Sequence, residues 1–256
     1  MSILLWLALL PSILLGIFVY RMDKLEKESR GLLIKLFVFG LLSTFLTLLI
    51  SYISGYFFPI LDSESKEIPV LLLNNFVGIA LVEEFCKWIF LGLGTWNSKE
   101  FTHYYDGIVY AVFVSLGFAT FENILYVFGS DNNFLIAIVR AFLAVPGHVF
   151  DGIFMGYFYS LAKKNYLDRN NGKYVTYILL SLLVPTILHG FYDFCLQASR
   201  PILLLVFFIY IIALYVFAFV KLIRSSKRDE PFIKQYCPFC GALKTGLFCG
   251  TCGKRI

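Results

Sequence analysis

Apolar runs long enough to cross a bilayer recur along the chain, separated by short polar stretches. A hydrocarbon core about 30 Å thick needs about 20 apolar residues in a helix rising about 1.5 Å per residue. Such runs fall at residues 2–20, 33–58, 69–93, 107–128, 134–161, 174–195 and 201–223. The pattern predicts an all-α polytopic membrane protein with seven transmembrane helices. Several runs exceed 20 residues, which predicts tilt or a kink rather than a second crossing. Pro146 beside Gly147, inside the fifth run, is the expected kink.

The loops between these runs alternate in charge. The first carries Arg21, Lys24, Lys27 and Arg30, the fifth Lys163, Lys164, Arg169 and Lys173, and the last run is followed by Lys221, Arg224, Lys227 and Arg228. The intervening loops hold at most one basic residue each. Basic loops face the cytoplasm, so the N-terminus is expected outside and the C-terminus in the cytoplasm. The first run has no basic stretch before it and no small-residue cleavage site before Arg21, and reads as a retained helix rather than a signal peptide.

Composition agrees. Of 256 residues, 59% are hydrophobic and 15% charged, and a soluble protein of this size could not cover so much apolar side chain. The net charge of +5 does not indicate nucleic acid, because the basic residues flank the apolar runs. Membrane lipid is the expected surrounding, with the chain integral to a membrane.

The chain divides into a membrane domain, 1–226, and a tail, 227–256. In the tail, Cys237 and Cys240 are followed after eight residues by Cys249 and Cys252, each pair spaced CxxC and followed by glycine. Two such pairs form the pattern of a zinc ribbon with four thiolates. Disulfides are disfavoured in a reducing cytoplasm, and a module this short needs its metal to fold. A structural zinc is expected, closed to catalysis, and a cytoplasmic protein partner or a substrate tail is its expected contact. Cys86 and Cys195 lie within spans and read as small packing residues.

Ionisable residues inside a bilayer cost a few kcal/mol each and usually have a function or a partner. The third run holds Glu83, Glu84 and Lys87; the fourth, Glu122 and Asn123; the fifth, Arg140, His148 and Asp151; the sixth, His189 and Asp193. Glu83 and Lys87 are spaced i,i+4 in the favourable order for an ion pair. Glu84 is rotated about 100° from Glu83, so one carboxylate can be held by Lys87 while the other faces a cavity. His148 with Asp151, and His189 with Asp193, each share a helix face, where the carboxylate can fix the imidazole tautomer. These groups supply a base for water and donors for an oxyanion. Alternatively, two histidines and a glutamate hold a catalytic zinc with one open position. HExxH is absent from the sequence.

Structural roles compete for several of these residues. Glu83–Lys87 can simply join helices, Arg140 can snorkel or pair with Glu122, and Tyr126, Tyr157 and Tyr192 read as packing aromatics. Gly152 and Gly156 read as a close-packing pair. Span counting also places Glu83 and His148 nearer the cytoplasmic face and Glu122 and His189 nearer the outer face, so a single site requires the four to come level.

Glu83-Glu84-Phe-Cys-Lys87 matches an EExxK motif, Phe121-Glu122-Asn-Ile-Leu-Tyr126 an FExxxY motif, and His189-Gly-Phe-Tyr-Asp193 an HxxxD motif. With His148 between them, the ordered set over residues 75–195 resembles the PrsW family of intramembrane proteases. The resemblance implies cleavage of a membrane protein in or near the bilayer, in that family a single-span anti-sigma factor whose loss starts an envelope-stress response. It implies catalytic roles for Glu83, Glu84, Glu122, His148 and His189, with Lys87, Asn123, Asp151 and Asp193 supporting. Two other classes fit intramembrane charges, an ion-coupled transporter and a non-catalytic scaffold recruiting a partner through the ribbon. No inverted repeat favours the transporter.

Overall fold

A computed structural model describes residues 2–62, 65–129, 133–233, 239–241 and 251–254. Among the described residues the chain is helical, with no β-strand. Helices α1 (Ser2–Met22), α2 (Arg30–Phe57), α5 (Tyr104–Gly129), α8 (Asn171–Gln197) and α9 (Pro201–Lys227) are each long and apolar enough to cross a membrane. The stretch Phe134–Leu167 is the sixth of this kind. The outward faces are apolar, as on α9, where Ile209, Ile212 and Phe217 are each more than 60% exposed. The chain is an integral membrane protein.

The third predicted run is helical from Ile68 to Thr95 but not uniform. A short α3 (Ile68–Leu73) passes into a π-helical stretch, Asn74–Leu81, and then into α4 (Val82–Thr95). The wide π turns lie immediately before Glu83 and Glu84, and such bulges concentrate at functional sites.

The fifth run differs from its expectation. It breaks at Leu143 (φ −117°, ψ −58°) into α6 (Asn133–Phe142) and α7 (Ala144–Leu167), rather than bending as one helix at Pro146. Proline lacks an N–H and its ring clashes with the carbonyl four residues back. For Pro146 that carbonyl belongs to Phe142, and the Tyr215 hydroxyl of α9 donates to it instead. Pro146 itself sits in the first turn of α7, where an N–H would have no helical partner.

Helix α5 is the centre of the bundle, buried along most of its length against α1, α2 and α7. Missing side chains permit two close crossings. A Cβ on Gly117 would lie 2.9 Å from Cα of Gly40 on α2, and one on Gly156 would lie 2.5 Å from Cα of Ile108. Gly152 and Gly156 thus serve α5–α7 packing, as expected. Cys86 and Cys195 are fully buried, also as expected.

On the side of the basic loops, the chain leaving α9 is fastened beneath α5. Asp229 Oδ1 accepts the Tyr105 N–H at 2.8 Å, and the Phe232 N–H donates to the Thr102 carbonyl at 2.8 Å. The Phe232 ring meets Phe101 and Tyr104 edge-on, with centroids 5.2 and 5.1 Å away. Beside this strap, Asp23 and Glu28 are buried. Burial raises the Asp23 carboxyl to about 6 against the Lys27 ammonium, which pulls it down. It raises Glu28 to about 7, although the Tyr110 hydroxyl donates to that carboxylate at 2.7 Å. Beyond the strap, Cys240 and Cys252 are exposed; Cys237 and Cys249, the other two expected zinc ligands, lie outside the described residues.

Candidate active site

Four elements bring their polar residues to one place. The first turn of α4 carries Glu83 and Glu84, the last third of α5 carries Glu122, the second turn of α7 carries His148, and α8 carries His189. The separation expected between two pairs of these residues is not observed. Because α7 starts only at Ala144, His148 lies near the beginning of its helix rather than halfway along a long one. Glu122 is seven residues before the end of α5 and His189 eight before the end of α8. At about 1.5 Å per residue both sit 10–12 Å from the ends that lead into loops poor in basic residues. The His148 and His189 rings meet edge-on with centroids 5.2 Å apart.

Lys87 organises the interior of the cluster. Its ammonium, fully buried, donates to Glu84 Oε1 at 2.7 Å and to His148 Nδ1 at 3.1 Å, and lies 4.0 Å from the Phe118 ring centroid. Glu83 Oε2 is farther away, at 3.6 Å. The tighter pair is therefore Glu84–Lys87, while the Glu83–Lys87 ion pair that the spacing favours is present but longer. Glu84 is fully buried and also meets His189 Nδ1 at 2.9 Å. An unpaired charge at this depth would cost several kcal/mol, so this closed triad stabilises as it orients.

An ammonium has no lone pair, so it can only donate to His148 Nδ1, and the ring proton must sit on Nε2. That nitrogen lies 2.8 Å from Glu122 Oε2. His148 thus takes its carboxylate partner from α5 rather than from Asp151, whose Oδ1 is buried without a hydrogen-bond partner. His189 keeps its expected neighbour: Nε2 lies 3.3 Å from Asp193 Oδ2. With Glu84 on its other nitrogen, both ring nitrogens face carboxylates, an arrangement only the doubly protonated ring satisfies in full. The supporting residue Asn123 accepts from Arg140 Nε at 3.0 Å and donates to the Ala8 carbonyl at 2.9 Å, tying α1 to the site.

A cavity of about 280 Å³ opens on this cluster. Glu83, Glu122, His148, Asp151, His189 and Asp193 form its polar wall, and Ile79, Val139, Leu188 and Leu214 its apolar one. Glu84 does not line it. Tyr126 and Tyr192, expected as packing aromatics, also line it, as does Arg140, whose expected pairing with Glu122 is observed at 2.6 Å.

Charged and imidazole groups thus surround a partly apolar cavity inside a helical membrane bundle. The family model described as PrsW family intramembrane metalloprotease matches residues 28–221. Protease PrsW of Clostridioides difficile (strain 630) is 34% identical over 213 residues, covering 82% of this chain and 85% of that protein. Protease PrsW of Geobacillus kaustophilus is 36% identical over 190 residues, 74% and 78% of the two chains, and that of Bacillus subtilis (strain 168) 35% over 188 residues, 73% and 80%. No solved structure matches significantly. The chain belongs to the PrsW family of intramembrane proteases.

The family's description names a metal, and the donor set fits one. Glu83, Glu84, His148 and His189 each offer a ligand atom within 4.8 Å of the others, all buried. Two carboxylate oxygens in that group, Glu83 Oε2 and Glu84 Oε2, have no hydrogen-bond partner. Mixed imidazole and carboxylate donors suit zinc and similar divalent ions.

Proposed function

We propose that this protein hydrolyses a peptide bond of a membrane-protein substrate, using water activated by Glu83, within a seven-span membrane domain (1–226) whose N-terminus is outside. The observation that carries the reading is the asymmetry of the glutamate pair. Glu84 is held at Oε1 by Lys87 and His189 and lies off the cavity, whereas Glu83 lines it with its nearest cations 3.6 and 3.8 Å away. A water beside Glu83 loses its proton to the carboxylate as its oxygen attacks the substrate carbonyl carbon. His189, doubly protonated and on the cavity wall, donates to the oxyanion that develops. The proton held by Glu83 then passes to the leaving nitrogen, the C–N bond breaks, and an acid and an amine result. Glu122 and His148 line the same polar wall, and Asp151 and Asp193 flank His189. In a metal-loaded form, with His189 deprotonated and His148 released from one of its present partners, Glu83, Glu84, His148 and His189 would hold a divalent ion, which would supply Lewis acidity toward water or a carbonyl in place of the imidazolium.

The seventh span is the Ile68–Thr95 stretch, whose three charges belong to the site. The apolar wall fits a substrate segment drawn from the bilayer, by family likeness a single-span anti-sigma-factor-like protein. The tail, 227–256, holds a structural zinc through Cys237, Cys240, Cys249 and Cys252 on the cytoplasmic side, where it meets a protein partner or the substrate's tail. To test the catalytic reading, membrane proteomes are compared between cells with the wild type, Glu83→Gln, Glu84→Gln or no copy. New protein termini that require Glu83 are expected. Identical termini in all four strains under several envelope stresses would overturn it.

A further inference from the structure

Arg140 lies in α6, a ten-residue helix separated from α7 by the break at Leu143. The outward residues of α6 are apolar and exposed, Leu135 at 61% and Phe142 at 70%. Arg140 points the other way. Its Nη2 donates to Glu122 Oε2 at 2.6 Å, its Nε donates to Asn123 Oδ1 at 3.0 Å, and its guanidinium carbon lies 4.1 Å from the Tyr126 ring centroid. One side chain therefore holds every polar group that the FExxxY segment presents on this face. The Glu122 oxygen that it grips is the oxygen facing His148 Nε2.

We infer that Arg140 is a positioning residue, holding Glu122 so that this carboxylate fixes the ring of His148 on the cavity wall. The inference deepens the protease reading, since it concerns the same site. The planar guanidinium suits the task, because its fixed fork of donors reaches Glu122 and Asn123 together while its face rests on Tyr126. With Arg140 and His148 both on Oε2, that oxygen is fixed in place, and it in turn fixes the ring nitrogen that donates to it. Because Arg140 comes from α6 and Glu122 from α5, the orientation of His148 depends on α6 being seated. Outer-shell partners of catalytic imidazoles, when removed, commonly cost about 10- to 100-fold in activity.

The test reads the imidazole directly and needs no substrate. The full-length protein, labelled with ¹⁵N-histidine, is placed in lipid nanodiscs, and its three histidines are followed by NMR. The His148 Nε2–H signal is assigned by its disappearance in His148→Gln. The hydrogen-bonded resonance is expected in the wild type and in Leu135→Ala, an exposed site on the same helix, and lost or strongly shifted in Arg140→Gln and Glu122→Gln. Survival of the resonance in Arg140→Gln, or equal loss in Leu135→Ala, would overturn the inference. A lower unfolding temperature for Arg140→Gln with an unchanged resonance would likewise reduce Arg140 to a packing role. The protease reading fails separately, if cells show no Glu83-dependent termini whatever the histidine spectrum reports.

Discussion

Glu83 and Glu84 are adjacent and chemically identical, yet their substitutions should have opposite consequences. Replacing Glu84 by glutamine removes the charge that meets Lys87 at 2.7 Å and His189 at 2.9 Å, with no solvent to compensate. Removing one member of a buried pair costs about 3–5 kcal/mol. Because Lys87 keeps Glu83 at 3.6 Å, the low end, about 3 kcal/mol, applies. At about 2–4 °C per kcal/mol for a chain of this size, the unfolding temperature should fall by about 6–12 °C. Glu83 makes no such bond through Oε2, and its nearest cations are 3.6 and 3.8 Å away. Glu83→Gln should cost about 1 kcal/mol or less in stability, while removal of a general base lowers cleavage about 10²- to 10⁴-fold. The assay pairs thermal unfolding in identical nanodiscs with product formation in cells. If Glu84→Gln unfolds at the wild-type temperature while Glu83→Gln still cleaves, the assignment of the two roles is wrong.

Three further outcomes follow from other parts of the molecule. The folded protein retains protons on Asp23 and Glu28, raised to about 6 and 7 by burial, that the unfolded chain releases above about pH 4; this part of its stability is therefore lost as pH rises toward 7. Asp23→Asn should accordingly gain roughly 1–3 kcal/mol over the wild type at pH 8 and nothing near pH 4, and a gain confined to acid pH in denaturation curves would contradict the sign. In Gly190→Ala the new Cβ would sit 2.7 Å from Phe76 Cδ1 and 3.1 Å from its Cα, so stability should fall by about 1–3 kcal/mol, and cleavage with it as His189 shifts; unchanged melting would show that the π segment yields freely. Cys249→Ser should lose the tail's zinc by elemental mass spectrometry while Glu83-dependent cleavage persists, and a wild-type protein free of zinc would refute the ribbon.

Long apolar runs made the helices legible, because lipid imposes the same length requirement on every span. The motifs were legible because buried charges are rare enough in such runs for each to carry information. Two features left no such trace. Hydrophobicity is continuous through Leu143, so only Pro146 hinted at a discontinuity, and the break falls where the carbonyl that proline orphans finds Tyr215. The π stretch changes hydrogen-bond spacing without changing residue type, so no periodicity announces it. The break at Leu143 is what brings His148 level with Glu122 and His189, while the π stretch immediately precedes Glu83 and Glu84. Which glutamate Lys87 holds more tightly was open in the sequence: i,i+4 spacing favours Glu83 on an isolated helix, but in the packed bundle Glu84 is the nearer.

The π-helical stretch makes the alignment of the site a matter of chain length as much as of residue identity. A segment closing its hydrogen bonds over five residues carries one residue more than an α-helix needs. Deleting a single position within Asn74–Leu81 would let the helix revert to ordinary pitch with all its motifs intact. Any change of length that the pitch does not absorb would turn everything beyond it by about 100° relative to the residues before it. Glu83 and Glu84 would then face different neighbours. Natural relatives should therefore vary in composition across this stretch far more freely than in its length.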